Sequence, residues 1–182
     1  MMHAFIPECY VDTCLINVLL NVTDKNGANH AKGNSSVAAK MKKIFSNTFA
    51  VGIIDRDKRP IEYIKEFYLC NETLPDKLLL YKHPNKHHYF IQLCPESEAW
   101  ICSVCRDLEI NMSEYGLPSN PRDLAKESKN VSVGLDDRFL KLFRVIRRIA
   151  FEKNYQPVVK LVNWLEELKE KTYHASLDIL KN

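Results

Sequence analysis

The sequence predicts an α/β domain: a mostly parallel sheet of four to five strands flanked by helices, followed by a C-terminal helical extension. Three observations predict it. Val51-Gly-Ile-Ile-Asp55 is a short apolar run that ends in acid, which reads as a strand buried on both faces. Strand-like and helix-like segments alternate through the first half of the chain, as crossover connections in a parallel sheet require. The second half shows only helical periodicity, in four successive segments. The change falls near Pro95. It divides an α/β core over 1–95 from an extension over 96–182, and the two are expected to form one fused unit.

Residues 3–7 make a first short strand. Over 10–20, Val11, Leu15, Val18 and Leu19 recur at helical spacing. Residues 21–33 are polar and turn-rich, with room for one weak strand near 29–32. A second helix opens at Gly33-Asn-Ser-Ser, with Asn34 or Ser35 as its cap. Its apolar stripe is Val37, Met41, Ile44 and Phe45. Residues 49–54 form the strand that carries the acids. Pro60 suits the first turn of a helix whose buried face is Ile61, Ile64, Phe67 and Tyr68. Residues 77–81 and 88–93 read as two more strands. Helices are expected over 96–108, 121–128, 136–153 and 157–173. The last two carry strong stripes, Phe139/Leu142/Phe143/Ile146/Ile149 and Val158/Leu161/Trp164/Leu165/Leu168, which bury each other or cover the sheet. Trp100 and Trp164 anchor that packing.

The composition is that of an ordinary globular protein, with 46% hydrophobic and 27% charged residues among 182. A net charge of +3 does not oppose an anionic substrate. No apolar run is long enough for a membrane span. Residues 1–8 lack the basic and apolar regions of a secretory signal. A cytoplasmic location is therefore the expectation, with all six cysteines reduced. Cys102-Ser-Val-Cys105 lacks a second matching pair for zinc and reads as a buried helical face. His83, His87 and His88 flank a polar turn, where exposed side chains are the plain expectation.

The chemistry is expected from carboxylates. Ligands of parallel sheets lie beyond the carboxyl ends of the strands, and Asp55 and Asp57 fall there. Glu8 directly succeeds the first strand, and Asp12 stands four residues on. If the two strands are neighbours, Glu8, Asp55 and Asp57 converge at one sheet edge. Such a set suits one or two Mg2+ (or Mn2+) ions carrying waters and phosphate oxygens. Asp12 reads as a helix-start residue that accepts from backbone amides. Lys58 and Arg59 stand where a phosphate or transition state would be clamped. Arg144, Arg147 and Arg148 share a helix and leave its apolar stripe free, which suits contact with a nucleic-acid backbone.

Ile6-Pro-Glu8-Cys-Tyr-Val-Asp12 resembles the first motif of TOPRIM domains, in which a glutamate ends strand 1 and an aspartate four residues on begins a helix. Val51-Gly-Ile-Ile-Asp55-Arg-Asp57 resembles the second, the Asp-x-Asp strand. Leu93-Cys-Pro-Glu-Ser-Glu98 resembles the segment after the last core strand in OLD-type nucleases and small stand-alone TOPRIM-like proteins. The resemblance covers about residues 3–100. It implies a Rossmann-like fold and Mg-dependent phosphodiester cleavage of DNA or RNA, in phage defence or DNA repair. It makes Glu8 a general acid/base or metal ligand, Asp55 and Asp57 metal ligands, and Glu98 an added acidic ligand. One departure is Cys9, where TOPRIM domains usually carry glycine.

Two other functions compete. The domain could be a non-catalytic interaction module working with a separate ATPase, since no Gly-x-x-x-x-Gly-Lys-Ser/Thr loop is present. Alternatively, Tyr10-Val-Asp12-Thr-Cys-Leu-Ile resembles the opening of PIN-like ribonucleases, with strand 1 ending at Asp12. A homodimer is compatible with the sequence and not required by it.

Overall fold

A computed structural model of the chain describes residues 2–22, 27–56, 61–73 and 77–181. Five strands form one sheet: β1 (Phe5–Pro7), β2 (Ala50–Asp55), β3 (Tyr68–Thr73), β4 (Leu78–Lys82) and β5 (His88–Leu93), in the order β1-β2-β5-β4-β3. The helices are α1 (Tyr10–Leu19), α2 (Asn34–Lys43), α3 (Ser97–Asp107), α4 (Pro121–Ser128), α5 (Asp137–Glu152), α6 (Gln156–Lys171) and α7 (Leu177–Lys181). No described helix is long and apolar enough to cross a membrane.

The sheet is mixed, which corrects the expectation of a mostly parallel one. β1, β2 and β5 run parallel, whereas β4 is antiparallel to β5 and β3 antiparallel to β4. The reason is connection length. Only five residues separate β4 from β5 and four separate β3 from β4, and a parallel crossover needs a dozen or more. β3 carries little hydrophobic signal because it is a half-exposed edge strand, with Leu69 and Tyr68 open to solvent and a register shift at Cys70. Its start also displaces the helix expected after Pro60. That proline lies outside the described residues, and Glu62–Glu66 form only a single 3₁₀ turn.

The parallel half carries the densest packing. Gly52 sits opposite Phe90 under α2, and a methyl group there would lie 2.5 Å from the Phe90 ring and 2.8 Å from Val37. Gly52→Ala is expected to lower stability by about 1–3 kcal/mol in chemical denaturation, as overpacking does. No strand forms at 29–32. The segment nevertheless lines the free edge of β1, with Asn29 N donating to Phe5 O (2.7 Å) and Ala31 N to Pro7 O (2.9 Å). That cover shields an otherwise open edge. The α2 cap is Gly33, at φ 87°, with no side-chain cap.

Two histidines are buried rather than exposed. His88 lies at the start of β5; its Nε2 donates to Phe45 O (2.8 Å) and its Nδ1 accepts from Tyr63 Oη (2.6 Å). His83, also buried, reaches Glu66. Burial holds His88 below its ordinary value of 6.5, so the native state keeps it neutral while the unfolded chain protonates. Its contribution is present above that pH and is lost as pH falls below it. Tyr63→Phe leaves Nδ1 buried without a donor and should cost about 1–3 kcal/mol in thermal unfolding at neutral pH.

The helical extension is part of the same core. α5 and α6 bury the two expected stripes, including Phe139, Phe143, Trp164 and Leu168, and α1 packs on α5. Ile149 is only half-buried. Asn71 of β3 donates to Leu180 O (2.8 Å), and Phe49 N donates to Tyr173 Oη (3.1 Å). Lys77, before β4, pairs with Asp107 at the end of α3, which also accepts from Tyr155 Oη (2.7 Å).

Candidate functional site

Strands β1, β2 and β5 point their carboxyl ends at one rim of the sheet. Each chain segment leaving that rim brings a polar group. Glu8 succeeds β1, Asp55 ends β2, and Ser97 opens α3 four residues after β5. The register places Pro7 beside Ile53, so Glu8 falls level with the end of β2.

Hydrogen bonds fix the group. Glu8 N donates to Ile53 O (2.9 Å), and Glu8 Oε2 accepts from Asp55 N (3.0 Å). Asp55 Oδ1 accepts from Ser97 N (2.8 Å) and lies 2.6 Å from Ser97 Oγ. Ser97 Oγ also bonds Asp12 Oδ1. The other Asp12 oxygen accepts from Cys9 N at 3.2 Å. Asp12 is therefore a helix-start acceptor, as its place predicts, and in addition a member of the cluster.

Ser97 Oγ lies within hydrogen-bond reach of both Asp12 and Asp55 and has one proton to give, so a proton on one of the acids would complete the set. The electrostatics agree. Burial, chiefly, pushes Asp55 up to about 8, and the Asp12 and Glu8 charges add to it. Burial likewise pushes Asp12 up to about 7, reinforced by Glu8 and Glu98 and opposed by the bonds from Ser97 and Cys9. Both carboxyls are thus held well above the usual carboxylate range, which is the response of crowded, desolvated acids.

Around these acids lies a cleft of about 580 Å³. Glu98, in the first turn of α3, lines it and accepts from Ser128 Oγ of α4. Tyr10 and His30 line another wall, their rings stacked 4.0 Å apart. Lys32 and Lys129 stand exposed at its mouth. Cys9 also lines the cleft, and burial pushes its thiol far above the ordinary range. It is a protonated wall residue. Lys40 is not a solvated charge of α2: its Nζ donates to Asn29 Oδ1 (2.9 Å) and His30 O (2.6 Å), which holds the 29–33 segment at the cleft.

Of the residues the sequence singled out, Glu8, Asp55 and Glu98 come together here. Asp57 and Lys58 lie outside the described residues. The PIN-like register requires strand 1 to end at Asp12; it ends at Pro7, and Asp12 is the third residue of α1. Ser97, His30, Lys32 and Lys129 were not singled out. Only Ser97 carried a usable signal, its place just after the last parallel strand.

As a donor set, Glu8, Asp12, Asp55 and Glu98 fit a hard cation: all are oxygen ligands, with negative charge in excess. Among the described residues no group of three or more His, Cys, Asp or Glu side chains stands close enough together to hold a metal ion. Mg2+ needs no such group, since it takes one or two carboxylates and keeps several waters. Comparison with protein-family models, curated proteins and solved structures finds no match for this chain.

Proposed function

We propose that this is a TOPRIM-like, Mg2+- or Mn2+-dependent phosphodiesterase that cleaves DNA or RNA. The observation that carries the reading is the meeting of Glu8, Asp12 and Asp55 around Ser97 at the carboxyl rim of the parallel strands. Asp55, with Asp57 by resemblance, would hold the metal, and Glu98 would add a ligand from across the cleft. When bound, the ion would polarise a phosphate oxygen and lower the pKa of an attacking water. Glu8 is anchored through Oε2 to the Asp55 amide, and it would take or return a proton at the reacting phosphate. Ser97 holds Asp55 in one orientation. Lys32 and Lys129 would attract the polyanionic backbone, and Lys58 is assigned to the scissile phosphate from its place in the sequence.

A second reading is favoured by one observation. The Asp12–Ser97–Asp55 bonds satisfy one another without a metal, which suits a non-catalytic module that works with a separate ATPase. Cleavage separates the two. Wild-type protein with Mg2+ or Mn2+ should cut labelled single- or double-stranded DNA or RNA, and Asp55→Asn should not. Failure of the wild type on every such substrate overturns the nuclease reading.

A further inference from the structure

Away from the carboxylate cleft, two adjoining hollows of about 380 and 420 Å³ lie between the end of α1 and the outer face of α5. They share Val18, Asn21 and Arg144, so they form one groove. Arg147, Arg148 and Phe151 line one part of it, and Gly134 and Leu135 the other. Among the described residues, no carboxylate lines either hollow. Arg147 pairs with Glu166 at 3.3 Å at the partly exposed α5–α6 surface, and lies 5.6 Å from the centre of the Phe151 ring. Arg144 and Arg148 are exposed, and among the described residues neither pairs with an acid. Beside these charges stand apolar groups open to solvent: Phe151 is 45% exposed, Leu135 77% and Val131 69%.

The groove and the cleft lie along the same helix, whose Cys14 and Val18 are themselves buried. Tyr10, which lines the cleft, and Cys14 and Val18, which line the groove, stand four residues apart along α1. Residues at that spacing share one face, and Tyr10 to Val18 spans about 12 Å. On the other side, Lys129 at the cleft mouth leads directly into the turn Val131–Leu135 that borders the groove.

We propose that this groove is a binding site for single-stranded nucleic acid, reached from the carboxylate cleft along the mostly exposed segment 129–135 and gripping the strand away from the cut. The inference rests on the nucleic-acid reading of the cleft and deepens it by naming the form of the substrate. Unpaired cations beside exposed apolar and aromatic surface are what a single strand needs, because phosphates take the arginines and unstacked bases take the Phe151 and Leu135 surfaces. A duplex offers phosphates but keeps its bases stacked inside.

The test reads binding alone. Full-length protein is titrated into fluorescein-labelled oligothymidylate, oligouridylate and a duplex, monitored by anisotropy without divalent cation. The wild type should bind the single strands more tightly than the duplex, and the two single strands show whether DNA or RNA is preferred. Arg144→Glu with Arg148→Glu should weaken single-strand binding at least about tenfold at low salt. The milder Arg144→Gln with Arg148→Gln should flatten the salt dependence by about 0.7 in log–log slope per arginine. Far-UV circular dichroism checks that both pairs stay folded. Unchanged affinity in the glutamine pair, or equal affinity for duplex or polyglutamate, overturns the proposal. Because no cleavage is measured, arginine-dependent binding by a protein that cuts nothing upholds the binding site and removes the nuclease. Cleavage that survives with arginine-independent binding does the reverse.

Discussion

Asp55→Asn is expected to abolish metal-dependent cleavage, by at least about a thousandfold, and at the same time to raise the melting temperature of the metal-free protein at pH 8. The two effects share a cause. Loss of a single neutral hydrogen-bond donor to a transition state costs about 10²–10³ in rate, and here the group lost is a proposed direct metal ligand. Yet Asp55 is a half-buried acid beside Asp12 and Glu8, held above its ordinary range by burial and by their charges. An amide in its place removes the repulsion and can still accept from Ser97 N through its oxygen. A variant that is inactive and more stable cannot be dismissed as misfolded. Loss of activity accompanied by a lower melting temperature at pH 8 would instead give Asp55 a purely structural role. The measurements are single-turnover cleavage of a labelled oligonucleotide and calorimetry without added metal.

The second large effect is the pH dependence of metal stabilisation. Asp55 and Asp12 both titrate higher in the folded protein than their ordinary value of 3.8. Between about pH 4 and pH 8 the native state therefore holds more protons than the unfolded chain. Stability from these two groups is fully present below the unfolded value and is lost as pH rises through about 7 to 8. A divalent ion bound by these carboxylates offsets that loss, and ion binding adds stability as RT ln(1 + [L]/Kd). Millimolar Mn2+ should accordingly raise the melting temperature by several degrees at about pH 8 and leave it nearly unchanged at about pH 5, where protons hold the site. His88 pulls the other way, since its contribution fades below pH 6.5. A shift of equal size at the two pH values, or one that survives in Asp55→Asn, would place the ion elsewhere.

Much of the fold was legible in the amino-acid order. Apolar runs marked β2 and β5, because a strand buried on both faces needs no alternation to announce itself. Stripes marked α5 and α6, whose inward positions repeat without interruption. β3 and α7 escaped notice for a common reason: each lies at an edge, with few buried side chains to leave a pattern. The buried His83 and His88 were misjudged because a polar turn in sequence says nothing of which helices and turns fold over it. The candidate site was legible in part. Glu8 and Asp55 stand where strands end, and that much is local. Ser97 and Asp12, 85 positions apart, could be joined only by folding.

By itself, then, the chain's residue order determined which segments are buried, which are helical, and that acids succeed two apolar strands, since all of these depend on near neighbours and their spacing. Tertiary structure alone decided the rest: the parallel pairing of β1 and β2, which sets Glu8 against Asp55, the mixed sheet, and the serine hydroxyl within reach of two carboxyls. Those depend on groups distant in sequence competing for one small volume, where desolvation and charge are set by whatever else is packed beside them.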